Sequence, residues 1–183
     1  MFAPMTLPEA LTPEDCLRLR ALAEAAEPRP AGLIGGHQVA AIRRAELVWL
    51  DDLEGAAWAM DRMVGLVARA NRDGFGFDLS EFGESAQIAH YIAEREGHFD
   101  WHSDIGAGPL ALRRKLTAVV QLSSPGEYAG GALELRADSN VHVLPKEQGT
   151  AAVFPSFVLH RVTPVTAGRR WSLTLWAHGP AFR

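Results

Sequence analysis

The stretch Gly168-Arg169-Arg170-Trp171-Ser172-Leu173-Thr174-Leu175-Trp176-Ala177 alternates two chemistries. Neighbours on a strand point to opposite faces, so Arg170, Ser172 and Thr174 share one face and Trp171, Leu173 and Leu175 share the other. An ordinary sandwich would turn the apolar face inward and leave Arg170 in solvent. A sheet carrying helices on its outer face inverts this. The apolar set then meets the helices, and the polar set looks into the interior. The rest of the chain decides between the two.

Upstream of that strand the chain is rich in short strands. Segments 87–92, 116–122, 132–136, 141–144, 150–154 and 157–162 are dense in Val, Leu, Thr and aromatics. Between them stand Ser124-Pro125-Gly126, Gly130-Gly131, Gln148-Gly149 and Pro155. Many short strands at close spacing mean an antiparallel sandwich or barrel. A further strand is expected between Arg43 and Leu50. The first third of the chain supplies helices. Thr12-Pro13-Glu14-Asp15 is a helix start, with Thr12 as cap, Pro13 at the first helical position and Asp15 closing a capping box. Cys16, Leu19, Ala23 and Ala26 then recur at helical spacing until Pro28 and Pro30. A second helix is expected over 53–71, with Leu53, Ala57, Met60, Val64 and Val67 as its apolar stripe. Two amphipathic helices are thus available to cover one sheet.

The chain has 183 residues, 48% hydrophobic and 22% charged. This suits one domain, with 1–85 as helical support and substrate-side elements and 86–183 as a catalytic core. Its net charge of -4 argues against a nucleic-acid partner. No stretch approaches the roughly 20 apolar residues that would span a membrane. Met1 to Ala10 has no basic and apolar signal pattern, and the single cysteine, Cys16, fits a reducing compartment, so a cytoplasmic location is expected. Cys16 reads as a small buried hydrophobe.

Three places carry chemistry. In Trp101-His102-Ser103-Asp104, residues two apart on extended chain point one way, so His102 and Asp104 can converge on one metal ion. His160 lies in a later strand. Alone, each signal is weak. Together, two histidines and one carboxylate on one side of a metal leave adjacent positions open, the facial triad of non-haem Fe(II) oxygenases. A chelating co-substrate would fill two of these, and its far carboxylate would need a planar cation. Arg170 starts the next strand after His160 and is placed for that role. Arg161 and Arg169 point the opposite way from His160 and Arg170. Thr117 and Gln121 share a face that either looks into the site or meets solvent.

These stretches resemble the Fe(II)/2-oxoglutarate-dependent dioxygenases of the prolyl 4-hydroxylase type, in their bacterial form. The resemblance covers about residues 87–183. It rests on Tyr91, Gly97-His98-Phe99-Asp100-Trp101-His102-Ser103-Asp104, Arg114-Lys115-Leu116-Thr117 and Tyr128-Ala129-Gly130-Gly131-Ala132-Leu133-Glu134-Leu135. It rests also on Leu159-His160-Arg161-Val162-Thr163-Pro164-Val165-Thr166 with Gly168 and Arg170. The resemblance implies a mainly β fold with N-terminal helices (α+β), a double-stranded β-helix or jelly roll with two helices on the outer face of one sheet. It implies His102, Asp104 and His160 as Fe(II) ligands and Arg170 as partner of the 2-oxoglutarate C5 carboxylate. Ser172 matches a position that assists that carboxylate, and Tyr91 a tyrosine that hydrogen-bonds the co-substrate. 2-Oxoglutarate and O2 would be co-substrates, converted to succinate and CO2 as a C–H bond is hydroxylated, with ascorbate as an optional addition. A carboxylate at 104 favours hydroxylation over halogenation, since related halogenases leave that position empty.

The substrate class implied is a prolyl residue of a protein or peptide. A free amino acid or other small metabolite is the alternative. A cupin-like metal-binding jelly roll would instead need a His-x-His…Glu…His ligand pattern, which the chain lacks, and a metal-free binding module would not need the ligands and anchor at all. Loops 32–44, 74–84 and 105–112 are expected around the barrel mouth. Gly-Ala-Gly-Pro at 106–109 suggests a lid, and Arg113-Arg114-Lys115 a solvated turn. His37, His90, His98, His142 and His178 read as structural or exposed.

Overall fold

The computed structural model describes residues 3–27, 29–30 and 42–182. His37 and most of the expected 32–44 loop lie outside the described residues.

Helix α1 (Pro13–Ala25) starts as expected: the Thr12 side chain accepts from the Asp15 amide and the Asp15 carboxylate from the Thr12 amide, both at 3.1 Å. Cys16, Leu19 and Ala23 are buried. Helix α2 (Ala57–Ala70) starts four residues later than expected, and the face it buries is Ala59, Met63, Val67 and Ala70. Met60 and Val64 are only partly buried.

Among the described residues, thirteen strands form the sheets. Four belong to the first half: β1 (Met5–Leu7), β2 (Arg29–Pro30), β3 (Arg43–Arg44) and β4 (Glu46–Trp49). Next come β5 (Gln87–Ile92), β6 (His98–His102), β7 (Arg114–Gln121), β8 (Tyr128–Gly130) and β9 (Leu133–Arg136). The last are β10 (His142–Val143), β11 (Ala151–Pro155), β12 (Leu159–Val162) and β13 (Val165–His178). The large sheet runs β1-β11-β7-β13-β5-β4-β2, with β8 on one end of β13, and the small sheet runs β10-β9-β12-β6-β3. All their pairings are antiparallel. This is the jelly roll, with the helices on the outer face of the large sheet.

Register fixes what each face carries. Arg170 lies opposite Tyr91, Ser172 opposite both Ala89 and Gln121, and Thr174 opposite Gln87 and Val119. Partners across a ladder share a face. The outer alternate set of β13 (Trp171, Leu173, Leu175, Ala177) joins Leu116, Ala118, Val120, Ala151 and Val153 against Cys16, Leu19, Ala59, Met63 and Val67 of the helices. The inner set faces the small sheet through Tyr91, Val119, Leu133, Leu135, Phe154 and Val162. Two apolar layers therefore flank one sheet, and its polar alternate residues line the space between the sheets.

Two loop expectations change. Phe75, Phe77 and Phe82 pack on the helix-side core instead of ringing the mouth, because apolar rings gain more by covering that core than by lining a wet rim. The Arg113-Arg114-Lys115 cluster is not a solvated turn. β7 begins at Arg114, and both Arg114 and Lys115 are buried. Among the described residues, no helix is long and apolar enough to cross a membrane.

Candidate active site

His102 ends β6 and His160 stands in the middle of β12, directly opposite it in the ladder. Asp104 follows two residues after His102, and its amide donates to the Ser156 carbonyl at 2.9 Å. Nε2 of His102 is 3.6 Å from Asp104 Oδ1, and Nε2 of His160 is 3.5 Å from Oδ2. All three side chains offer ligand atoms within 4.8 Å of one another. Sites for divalent first-row metals look like this.

The surroundings aim these atoms. Nδ1 of His102 lies 2.7 Å from the Asp100 carbonyl, and Nδ1 of His160 lies 2.9 Å from the Val158 carbonyl. A carbonyl only accepts, so each Nδ1 carries the proton and each Nε2 keeps its lone pair for the centre. Burial lowers the His160 pKa and keeps the ring neutral, as a metal ligand must be. Burial alone would raise the Asp104 pKa, but charge at His160 and His102 whenever a proton occupies their inward nitrogens, and a 2.7 Å hydrogen bond from Thr117 Oγ1, hold it far below the usual carboxylate range. Ser156 Oγ lies 3.0 Å from Thr117 Oγ1 and extends that support.

A β-bulge sets the third dimension of the site. Between the His160–His102 and Val162–Phe99 pairs, β6 holds one residue more than β12. Phe99 therefore faces the same way as His102, and their rings stack at 3.4 Å, 12° from parallel. Trp101 goes to the other face, where the guanidinium carbons of Arg161 and Arg136 lie 4.8 and 5.2 Å from the centre of its ring. Asp100 is exposed. The His98/Asp100 pair, which repeats the ligand spacing, therefore stays out of the site.

Arg170 is fully buried. Its Nη2 donates to Gln121 Oε1 at 2.9 Å and its Nη1 to Ser172 Oγ at 3.4 Å, while its Nε–H has no partner. Its guanidinium carbon stands 5.3 Å from the centre of the Tyr91 ring. No described carboxylate pairs with it. A buried cation with a spare donor and no counter-ion fits a ligand carboxylate. Gly131 leaves it room: φ is +56°, and a Cβ there would stand 3.0 Å from Arg170 Cδ. Arg161 instead donates to Glu134 at 2.7 Å, and Arg169 is exposed, in line with their opposite parity.

These groups share one cavity of about 440 Å3, lined by the three converging residues, Tyr91, Thr117, Arg170, Ser172 and the apolar Leu47, Val119, Leu133 and Val162. Ile105, Gly106 and Ala111 of the 105–112 loop also border it. Sequence reasoning left Thr117 and Gln121 ambiguous and missed Ser156, Arg43 and Gln87. It also missed the support behind Asp104. There Arg114 donates to the Asp104 carbonyl at 3.0 Å and to both Glu84 oxygens at 2.6 and 2.5 Å, and His178 Nε2 is 2.9 Å from Glu84. Nδ1 of His178 accepts from the Gly83 amide at 3.2 Å, so Nε2 is the donor to Glu84. Two of the other histidines have structural partners: His90 stacks on Trp171 at 3.7 Å, and His142 lies 3.1 Å from Asp138.

Comparison with known proteins points the same way. The profile of the 2OG-Fe(II) oxygenase superfamily matches residues 86–178. A PKHD-type hydroxylase of Paracoccus denitrificans (strain Pd 1222) is 28% identical over 185 residues, covering 94% of this chain and 77% of that one. A crystal structure of a Pseudomonas putida prolyl-4-hydroxylase shares the fold with a TM-score of 0.77 at 24% identity, covering 97% of this chain and 93% of its own. A prolyl hydroxylase from Trichoplax adhaerens, solved with a hypoxia inducible factor oxygen degradation domain peptide fragment, gives 0.79 at 18% identity, covering 96% and 83%.

Proposed function

The chain belongs to the 2OG-Fe(II) oxygenase superfamily, and from that premise we propose that His102, Asp104 and His160 hold the iron and that the substrate is a prolyl residue of a peptide or protein. It is a 2-oxoglutarate-dependent hydroxylase, and its cofactors are Fe(II) and 2-oxoglutarate. The observation that carries the site assignment is the pairing, in one cavity, of three converging ligand atoms with a buried guanidinium that has no counter-ion among the described residues. The names of the structural relatives support the prolyl substrate. A small amino acid or metabolite is the second reading, favoured by a half-buried arginine at the cavity's other end.

When bound, the ferrous ion supplies the oxidising chemistry: 2-oxoglutarate, O2 and a C–H bond give succinate, CO2 and a C–OH group. The chain's own part is positional. The Asp100 and Val158 carbonyls hold the two imidazoles with Nε2 inward. Thr117 occupies one oxygen of Asp104 and limits its rotation. Gln121 and Ser172 orient the guanidinium of Arg170, whose planar fork receives the C5 carboxylate. Tyr91 walls the same end, while Val119, Leu133 and Val162 keep water from the reacting atoms. Residues 1–183 act as one unit in this reading, with 86–183 as the core and 1–85 as its support.

The test is spectroscopic. Fe(II) with 2-oxoglutarate under anaerobic conditions gives a weak visible charge-transfer band in the wild type and none in His160→Ala. Arg170→Gln raises the 2-oxoglutarate requirement at least tenfold and leaves the iron requirement within about twofold. Wild-type behaviour in both variants overturns the assignment. Succinate release stimulated by prolyl peptides, set against free amino acids, separates the two substrate readings.

A further inference from the structure

We infer that Arg43 is the substrate's anchor: the substrate presents a carboxylate to Arg43, at the end of the cavity opposite the 2-oxoglutarate site. The inference rests on the hydroxylase reading above and adds a chemical class to its substrate.

Arg43 is half-buried on β3, next to Phe99 of β6, and borders the cavity. Its guanidinium carbon lies 4.6 Å from the centre of the Phe99 ring, which stacks in turn on His102. One nitrogen, Nη2, donates to Gln87 Oε1 at 2.7 Å, and the buried Nε has no partner. No described carboxylate pairs with it, and residues 28–41 contain no Asp or Glu. Among the described residues its hydrogen-bond partner is a neutral amide oxygen.

Position separates it from Arg170. Gln87 pairs with Thr174 and Tyr91 with Arg170, so the two arginines are served by sites four residues apart on the same ladder. At about 3.3 Å per residue those backbone positions are roughly 13 Å apart. The iron ligands lie between the small sheet and this ladder, leaving Arg43 on the side where Trp49 and Trp176 also border the cavity.

Charge balance points the same way. In the loaded site the ferrous ion and the two carboxylates of 2-oxoglutarate cancel, and Asp104 cancels Arg170. Arg114 is already paired with Glu84. Arg43 is the cation left over. A guanidinium bordering a largely apolar cavity, with one N–H unspent, is complementary to a carboxylate. That carboxylate comes either from a free α-carboxyl beside the hydroxylated residue or from an acidic side chain next to it.

The test is calorimetric titration of the Mn(II)-loaded, 2-oxoglutarate-saturated protein, which binds but does not turn over. N-acetyl-L-proline is compared with its amide, and acetyl-Pro-Glu-amide with acetyl-Pro-Gln-amide. The expected result is at least a tenfold preference for the acid in one pair, which identifies the source of the carboxylate. Arg43→Met abolishes the preference and Arg43→Lys retains part of it. Absence of any preference in the wild type, or its survival in Arg43→Met, overturns the inference. Titration of 2-oxoglutarate into the same Mn(II)-loaded samples is the separate check. If it fails to bind the wild type, the hydroxylase site assignment falls; if it binds and no acid is preferred, only the role of Arg43 falls.

Discussion

Replacing Glu84 by Gln tests the support behind the metal site. The Glu84 side chain is 8% exposed and receives hydrogen bonds from Arg114 and His178. Burial alone would raise its pKa, but these bonds and the Arg114 charge lower it from an ordinary 4.5 to about 2. A tenfold change in proton affinity is worth about 1.4 kcal/mol, so ionised Glu84 contributes about 3 kcal/mol. The sign follows from the direction: a depressed carboxyl stabilises the fold above its unfolded value and loses that contribution as pH falls through the folded one. Wild type should therefore exceed Glu84→Gln by about 3 kcal/mol at pH 7, and the gap should close between about pH 4.5 and pH 2. Urea unfolding of both proteins at a series of pH values measures it. A gap of the same size at pH 7 and pH 3 would mean that packing, not charge, accounts for the loss, and would refute the reasoning.

Other substitutions separate the parts of the site. Thr117→Val removes the hydrogen bond to Asp104 Oδ2 at nearly constant volume, and metal affinity by competition with a chelator should drop about tenfold. Gly131→Ala forces a left-handed residue at φ +56° and crowds Arg170 Cδ, so the KM for 2-oxoglutarate should rise severalfold while the metal affinity stays within about twofold. Leu173→Ala opens the helix-side core and should cost about 3 kcal/mol in denaturant unfolding, with the 2-oxoglutarate KM of the folded protein within about twofold of wild type.

What the sequence made legible was whatever has period two. The alternation on β13 correctly assigned Trp171 and Leu173 to the helices and Arg170 and Ser172 to the interior, and it separated Arg161 and Arg169 from their neighbours. Period two also hid things. A strict alternation over 98–102 puts Phe99 opposite His102, whereas the bulge stacks them, and nothing in the residue types announces the extra residue. Gly168 sits within the 14-residue β13 at φ +68°, where a Cβ would stand 2.1 Å from the Glu127 carbonyl oxygen. In α2 hydropathy picks out Met60 and Val64, which stay only partly buried, while the helix meets the sheet with Ala59, Met63, Val67 and Ala70. Arg114 and Glu84 are 30 residues apart, and no local signal pairs them.

The position of Arg170 explains why a jelly roll suits this chemistry. β13 lies between β7 and β5, so its backbone is held from both sides, and Gln121 and Ser172 hold the guanidinium from within the same ladder. Ordering this long, flexible cation takes place during folding, offset by the apolar face that β13 turns to the helices. A carboxylate arriving there finds its donors already aligned and gives up little further side-chain entropy. Arg43 has the opposite setting, on the two-residue edge strand β3 with a single amide partner. In the proposed reading, the anchor that every turnover uses is built into the middle of a sheet, and the one that admits a particular substrate sits at a sheet edge, where a substitution can change it without disturbing the proposed iron ligands.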